Sequence, residues 1–321
     1  MTTTTTSALI ATLLATAAQV VVVAAGAPLL VGVMRQVRAR LEGRAGAGVM
    51  QPWRDLRKLL RRQPATPAGT GWAFRLAPLL LMGTSLVLAA VIPLLSTASP
   101  LDPVADLFAV VGLLALGTVV LALAALDTGT AFGGMGASRA ITILALVEPT
   151  ILVAVLALSA RVGSTNLAAI VTATLHDPLQ VVSPASLLAA AALTIVVVAE
   201  TGRLPVDNPA THLELTMIHE AMVLEYAGTD LALLEWASSI RLTVLLGLLA
   251  SLFAPWGIAG TSLAALPLAI PAFLVKVAVL GAGLGVAEVF IAKLRLFRVP
   301  ELLAGSFVLA LLAVASSFFL A

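Results

Sequence analysis

The sequence predicts an all-α, polytopic membrane bundle of about eight transmembrane helices, and three observations predict it. Hydrophobic residues fill 60% and charged residues 11% of 321 positions, with mean hydropathy +1.10, which excludes an ordinary soluble domain. Apolar runs of spanning length recur through the chain. None alternates with the period of two that a membrane barrel requires, so helices are left to satisfy the backbone within lipid. The whole chain, 1–321, reads as a single membrane domain.

The runs lie near 8–34, 73–96, 104–126, 139–161, 185–201, 240–257, 267–291 and 301–320. The opening Met-Thr-Thr-Thr-Thr-Thr-Ser lacks the basic segment of a signal peptide, so the first run is expected to be a retained helix. Loops 35–72 and 202–239 hold most of the charge. Of the 18 basic residues, only Arg161 and Lys276 fall away from one side of this alternation. The positive-inside rule makes that side cytoplasmic, places both termini outside and predicts a multi-pass protein of the cell membrane.

The first inner loop carries Arg44, Gly46, Gln51 and Pro52, then Trp53, Leu56, Leu59 and Leu60 at helical spacing beside Arg54, Arg57, Lys58 and Arg61. Such a helix could lie on anionic lipid or seat a cytoplasmic subunit. The second and third spans are expected to carry no buried charge before Asp127 and are assigned to scaffold. The stretch 127–139 is expected to be a Gly-rich inner loop, and without a Lys-Ser/Thr signature it is not a phosphate cradle. Glu148, followed by Pro149, sits deep in the fourth span. It should be buried, paired or protonated there, as a structural partner for a base such as Lys276 or as a proton-relay position. His176 and Asp177 fall in an outer connection with no assigned role. In the seventh span, Glu288 is expected to pair with Lys293 or Arg295 or to serve as an intramembrane charge, like Lys276.

The chain has no cysteine, so no disulfide, thiolate zinc site or cysteine-ligated cluster belongs to it. Any redox centre must be carried by another subunit, and no metal or catalytic residue is assigned here.

The fifth span runs into the polar stretch that matters most, from Ala199-Glu200-Thr201 to Glu225-Tyr226. Glu200, Asp207, Glu214, Glu220 and Glu225 cluster there with a single base, Arg203, and with His212 and His219. Crowded carboxylates raise one another's pKa and suit proton exchange, while Arg203 can orient the loop by bidentate pairing. Two histidines seven residues apart do not make a zinc site, and His219-Glu220 lacks a metalloprotease's second histidine. A merely solubilising acidic loop is at odds with the interleaved Leu215, Met217, Ile218, Met222, Val223 and Leu224.

Ala199-Glu200-Thr201, Arg203, Pro205, Asp207, Glu214-Leu215, Glu225-Tyr226 and Gly228 resemble the signature of the membrane subunit 1 family of respiratory complex I. Arg44, Gly46, Gln51 and Pro52, and Ala140 with Glu148, fit the same pattern, and the resemblance covers nearly the whole chain. Where quinone-linked members carry further acidic residues, this chain has Ala210 and His212, and the segment before Glu225 is longer. In these departures it looks like the membrane-bound [NiFe] hydrogenase branch, of formate hydrogenlyase type. The resemblance implies a membrane-anchoring, proton-path subunit with no cofactor of its own. The [NiFe] centre and iron–sulfur clusters would lie in partner subunits. Its implied partners are hydrogenase large and small subunits, iron–sulfur subunits, antiporter-like membrane subunits and lipid, with no nucleic acid. Glu148, Glu200, Asp207, Glu214, Glu220 and Glu225 would handle protons. Arg203, His212, His219, Tyr226, Arg44, Gln51 and Trp53 would organise or dock loops. A quinone-binding subunit of a complex I-like dehydrogenase is the alternative. A self-contained ion-coupled transporter is a further one, though no internal repeat supports it.

Overall fold

The computed structural model describes residues 2–207, 217–260 and 263–319, so Ala210, His212 and Glu214 lie outside the described residues. Eleven α-helices are described: α1 (Thr2–Leu41), α2 (Gln51–Leu59), α3 (Trp72–Val91), α4 (Leu107–Asp127), α5 (Ala131–Val162), α6 (Leu167–His176), α7 (Pro184–Glu200), α8 (His219–Val223), α9 (Gly228–Phe253), α10 (Leu266–Phe290) and α11 (Val299–Phe319). No strand occurs among the described residues. The protein is an all-α polytopic membrane bundle. Seven helices are long and apolar enough to cross a membrane: α1, α3, α4, α5, α9, α10 and α11. The remaining expected span, fifth in chain order, is α7, which has 17 residues and reaches about 26 Å at 1.5 Å per residue.

The most buried long helix, α9, stands at the centre against α1, α3, α7 and α10. A second group closes the bundle, with α4 between α3 and α5, and α11 against α5 and α7. The C-terminal ends of α1, α7 and α10 meet the N-terminal end of α9 around one cleft, and this is called the cavity end below. Starting at Gly228 rather than near 240, α9 takes in Asp230 and Glu235, which the sequence reading leaves in a loop.

Polar side chains fasten the apolar helices. Buried Gln19 on α1 donates to the carbonyls of Ala89 and Ile92 at 2.7 and 2.8 Å, and accepts from the N–H groups of Leu94 and Leu95 at 3.2 and 2.8 Å. One side chain thereby satisfies the end of α3 away from the cavity. Near the start of α3, Asp127 accepts from the N–H groups of Gly71 and Phe74 at 2.8 and 3.0 Å.

Pro28 has no N–H, so the carbonyl of Ala24 four residues earlier loses its helical donor. The Trp236 indole donates to that carbonyl at 2.8 Å, and the Trp53 indole donates to the next one, Ala25, at 3.1 Å. The two rings meet edge to face, with centroids 5.5 Å apart. Helix α2 is thus pinned to α1 and α9 through Trp53, with Pro52 and Leu56 buried and Arg54, Arg57 and Lys58 exposed.

Two expectations are corrected. The stretch 127–139 is mostly helix, because α5 begins at Ala131. Gly136 serves packing: a Cβ there would come 3.0 Å from the Ile218 carbonyl and the Ala221 side chain, so its absence lets α8 rest closely on α5. Lys276 does not pair with Glu148; its ammonium lies 5.7 Å above the ring of Trp256.

Candidate functional site: two linked polar cavities

The loop after α7 turns at Gly202 (φ 59°) and carries Arg203 and Asp207 back under the bundle. Asp207 is 2% exposed, and its Oδ2 accepts from the N–H groups of Ile218 and His219 at 3.1 and 3.2 Å, which sets the start of α8. Its Oδ1 lies 3.4 Å from Lys293 Nζ. Arg203 Nη1 is 3.4 Å from Glu288 Oε1, and Arg38 Nη1 on α1 is 3.8 Å from Glu288 Oε2. Glu288 therefore pairs with Arg203 and Arg38, not with Lys293 or Arg295, because Lys293 is engaged by Asp207.

These residues line a cavity of about 510 Å³ between α1, α8, α9 and α10. Arg35, Arg38, Arg44 and Arg203 face Asp207, Glu220, Glu235 and Glu288 across it, with His219 among them. Its charges balance in number, so it can hold water and exchange protons without a large net field. Burial draws the Arg203 guanidinium below the usual arginine range, and Glu288 counters part of that. Burial also pushes the His219 imidazole down, with Glu220 and Asp207 opposing it, so the neutral ring is favoured.

A second cavity of about 70 Å³ lies deeper and shares Thr201, Gly202, Asp207, His219 and Ser238 with the first. Glu200 and Arg241 line its inner part. They form a buried ion pair, in which Arg241 also donates to the Leu114 carbonyl and to Thr118 Oγ1 at 2.7 Å each. Thr118 in turn lies 3.4 Å from Glu200. Beyond them, Glu148 on α5 is within electrostatic reach of Glu200 and Arg241. Its Oε1 is buried and has no hydrogen-bond partner among the described residues. A buried carboxylate oxygen left unsatisfied is a costly arrangement of the kind found where protons are handled.

The structure brings together Glu148, Glu200, Arg203, Asp207, His219, Glu220 and Glu288, with Arg44 at the mouth of the cleft. It sets others apart. Glu225 is exposed and lines neither cavity. Tyr226 is a latch: its hydroxyl donates to the Phe74 carbonyl at 2.8 Å and its ring stacks on Phe74 at 4.0 Å, while burial pushes the phenol up. Gln51 donates to Asp55 at 2.8 Å within α2, and Trp53 is a fastener. Sequence reasoning missed Arg35, Arg38, Glu235, Thr118 and above all Arg241. The arginines stand at or just beyond expected span ends, where bases need no special explanation, and Glu235 falls in an expected loop; an arginine at the start of an apolar run, 41 residues after a glutamate that ends one, is the faint signal.

Comparison with known proteins shows the family and the fold. The family model described as NADH dehydrogenase matches residues 13–319. Formate hydrogenlyase subunit 4 of Escherichia coli (strain K12) is 36% identical over 295 residues, covering 90% of this chain and 94% of that protein. Hydrogenase-4 component C of the same organism is 37% identical over 291 residues, covering 89% and 90%. NADH-quinone oxidoreductase subunit 8 of Rhodothermus marinus is 26% identical over 237 residues, covering 71% and 68%. In fold, the chain matches a subunit of an archaeal membrane-bound sulfane sulfur reductase, a respiratory membrane complex, with TM-score 0.80 over 97% of this chain and 99% of that one, at 19% identity. The chain belongs to the NADH dehydrogenase family, that of complex I subunit 1, and is more similar there to these hydrogenase components than to the quinone oxidoreductase subunit.

Proposed function

We propose that the chain is the membrane-anchoring, proton-path subunit of a formate-hydrogenlyase-type [NiFe] hydrogenase complex in the cell membrane. The observation that carries this is the pair of cavities with shared walls, which join a charged cleft to Glu200–Arg241, with Glu148 within electrostatic reach of that pair. The cleft end faces the cytoplasm and seats the hydrogenase and iron–sulfur subunits, which carry the metal centres, since this chain has no thiolate to offer. A change of charge in the seated subunits shifts protons among Glu220, Asp207 and His219. Glu200 then passes them to Glu148 toward antiporter-like membrane partners. A neutral His219 can accept on one nitrogen while donating from the other.

Affinity purification of the tagged chain in mild detergent, with metal analysis, tests the assignment. Nickel and iron in a cysteine-rich partner are expected, and a lone metal-free protein would sink it. In proteoliposomes of the whole complex, Glu148→Gln should lower proton translocation at least about ten-fold while the complex still assembles. Unchanged translocation removes the proton path.

A quinone-binding role is the second reading, favoured by one feature: the volume of the cleft falls in the range of small-molecule pockets. The eight ionic side chains around it favour water over a quinone ring. A quinone-site inhibitor that stops turnover of the purified complex would reverse that preference.

A further inference from the structure

Lys276 is a charged residue in the span of α10 that neither cavity uses. It lies on the half of α10 away from Glu288, toward the far end of the bundle. Helix α10 packs on α1 and α9 only along one face; Leu268, Val275 and Val279 on the rest are exposed. A cation on such a helix needs an anionic or aromatic partner. Among the described residues no carboxylate lies within ion-pair distance, and the ammonium approaches the Trp256 ring at 5.7 Å.

The level of that contact points to the kind of partner it fits. Trp256 is in the loop after α9, and at Gly257 this loop touches α10 so closely that a Cβ would come 2.9 Å from that of Ala272. Two residues on, the N–H of Ala259 donates to Leu95 at 2.8 Å and its carbonyl accepts from Thr97 at 3.0 Å. Those residues follow directly on the end of α3 that Gln19 closes. Trp256 therefore sits just below the far rim of the bundle, where an indole 64% exposed belongs at the boundary of acyl chains and headgroups. The four-carbon stem of Lys276 carries its ammonium up to the same level.

We propose that Lys276 and Trp256 form a binding site for an anionic phospholipid, the ammonium donating to the phosphodiester and the indole packing on the glycerol and upper acyl chain. The indole lies 5.7 Å from the ammonium and is itself 64% exposed, so a phosphate at that rim meets both groups. A zwitterionic lipid brings its own cation to that phosphate and is the weaker ligand. A carboxylate on a partner's helix is the competing occupant, and the test separates the two. This site stands independently of the proton path.

The test uses the full chain in phosphatidylcholine nanodiscs doped with phosphatidylglycerol brominated near the top of its acyl chains. The Trp256 signal is the fluorescence of the protein minus that of Trp256→Phe. Brominated phosphatidylglycerol should quench this signal at about one-fifth the concentration that brominated phosphatidylcholine needs, from ~1 kcal/mol per basic residue at an anionic lipid surface. The preference should vanish in Lys276→Met and persist in Lys276→Arg. Equal quenching by the two lipids, or a preference that survives Lys276→Met, overturns the proposal. So does a carbodiimide cross-link from Lys276 to an acidic helix of a co-purified membrane subunit.

Discussion

The two ends of α1 and its neighbours solve one problem, how to bury polar groups, in opposite ways. At the far end the buried group is neutral and saturated: Gln19 makes four hydrogen bonds to backbone and leaves nothing open. At the cavity end the groups are ionic, and the pairs of Glu288 and Asp207 stand 3.4–3.8 Å apart, beyond the distance of a tight charge-assisted bond. Each acid there has more than one base or N–H group to turn to. A saturated neutral network holds one conformation, whereas loosely paired charges around water-sized space can change partners. The difference separates what the chain builds to stand still from what it builds to respond.

The strongest way to break the comparison is at Arg241, an ionic group that resembles Gln19 in making several bonds at once. Arg241→Met strands Glu200 in a buried site and should destabilise the protein by about 3–5 kcal/mol. Adding Glu200→Gln should restore most of that in detergent melts, without restoring proton transfer. A double variant no more stable than the single one shows that Arg241 acts through Leu114 and Thr118 instead. Next in size is Gln19→Leu, which orphans two carbonyls and two N–H groups and should cost roughly 2–4 kcal/mol. Proton translocation by the assembled complex should be unchanged; a selective loss of translocation would erase the distinction between the ends. The smallest effect is expected from His219. The imidazole takes up a proton in the unfolded chain below the usual pKa of about 6.5 but resists it when folded, so the unfolded state binds more protons there. Stability contributed by the neutral ring is present above that pH and is lost as pH falls toward the folded value. His219→Gln should flatten the acidic side of the pH–stability curve by under about 1 kcal/mol, read as melts between pH 7 and 5.

Much of this was legible in the sequence, for identifiable reasons. Helices of one span each show as apolar runs, and a carboxylate inside or at the edge of such a run stands out, as Glu148, Glu200 and Glu288 do. Pairing was not legible. Whether Glu148 meets Lys276 or Arg241 depends on the lateral order of helices, which hydropathy does not carry. The Gly-rich start of α5 misled because glycine argues for a loop when read alone. Its reason is the close approach of α8, a contact with residues some eighty positions away. Gln19 and the indoles on Ala24 and Ala25 give no signal, since their partners are backbone groups.

Those indoles also bear on how the chain is made. The carbonyl that Pro28 leaves without a donor is 212 residues from Trp236. At about 5–20 residues per second of synthesis, roughly 10–40 s pass before that indole exists. Throughout that interval the middle of α1 must be served by water or by the insertion machinery, because lipid offers no donor. Helix α1 enters the membrane well before α9 yet is finished only with it, and a ribosome stalled before Trp236 leaves a chain whose α1 is still open to exchange.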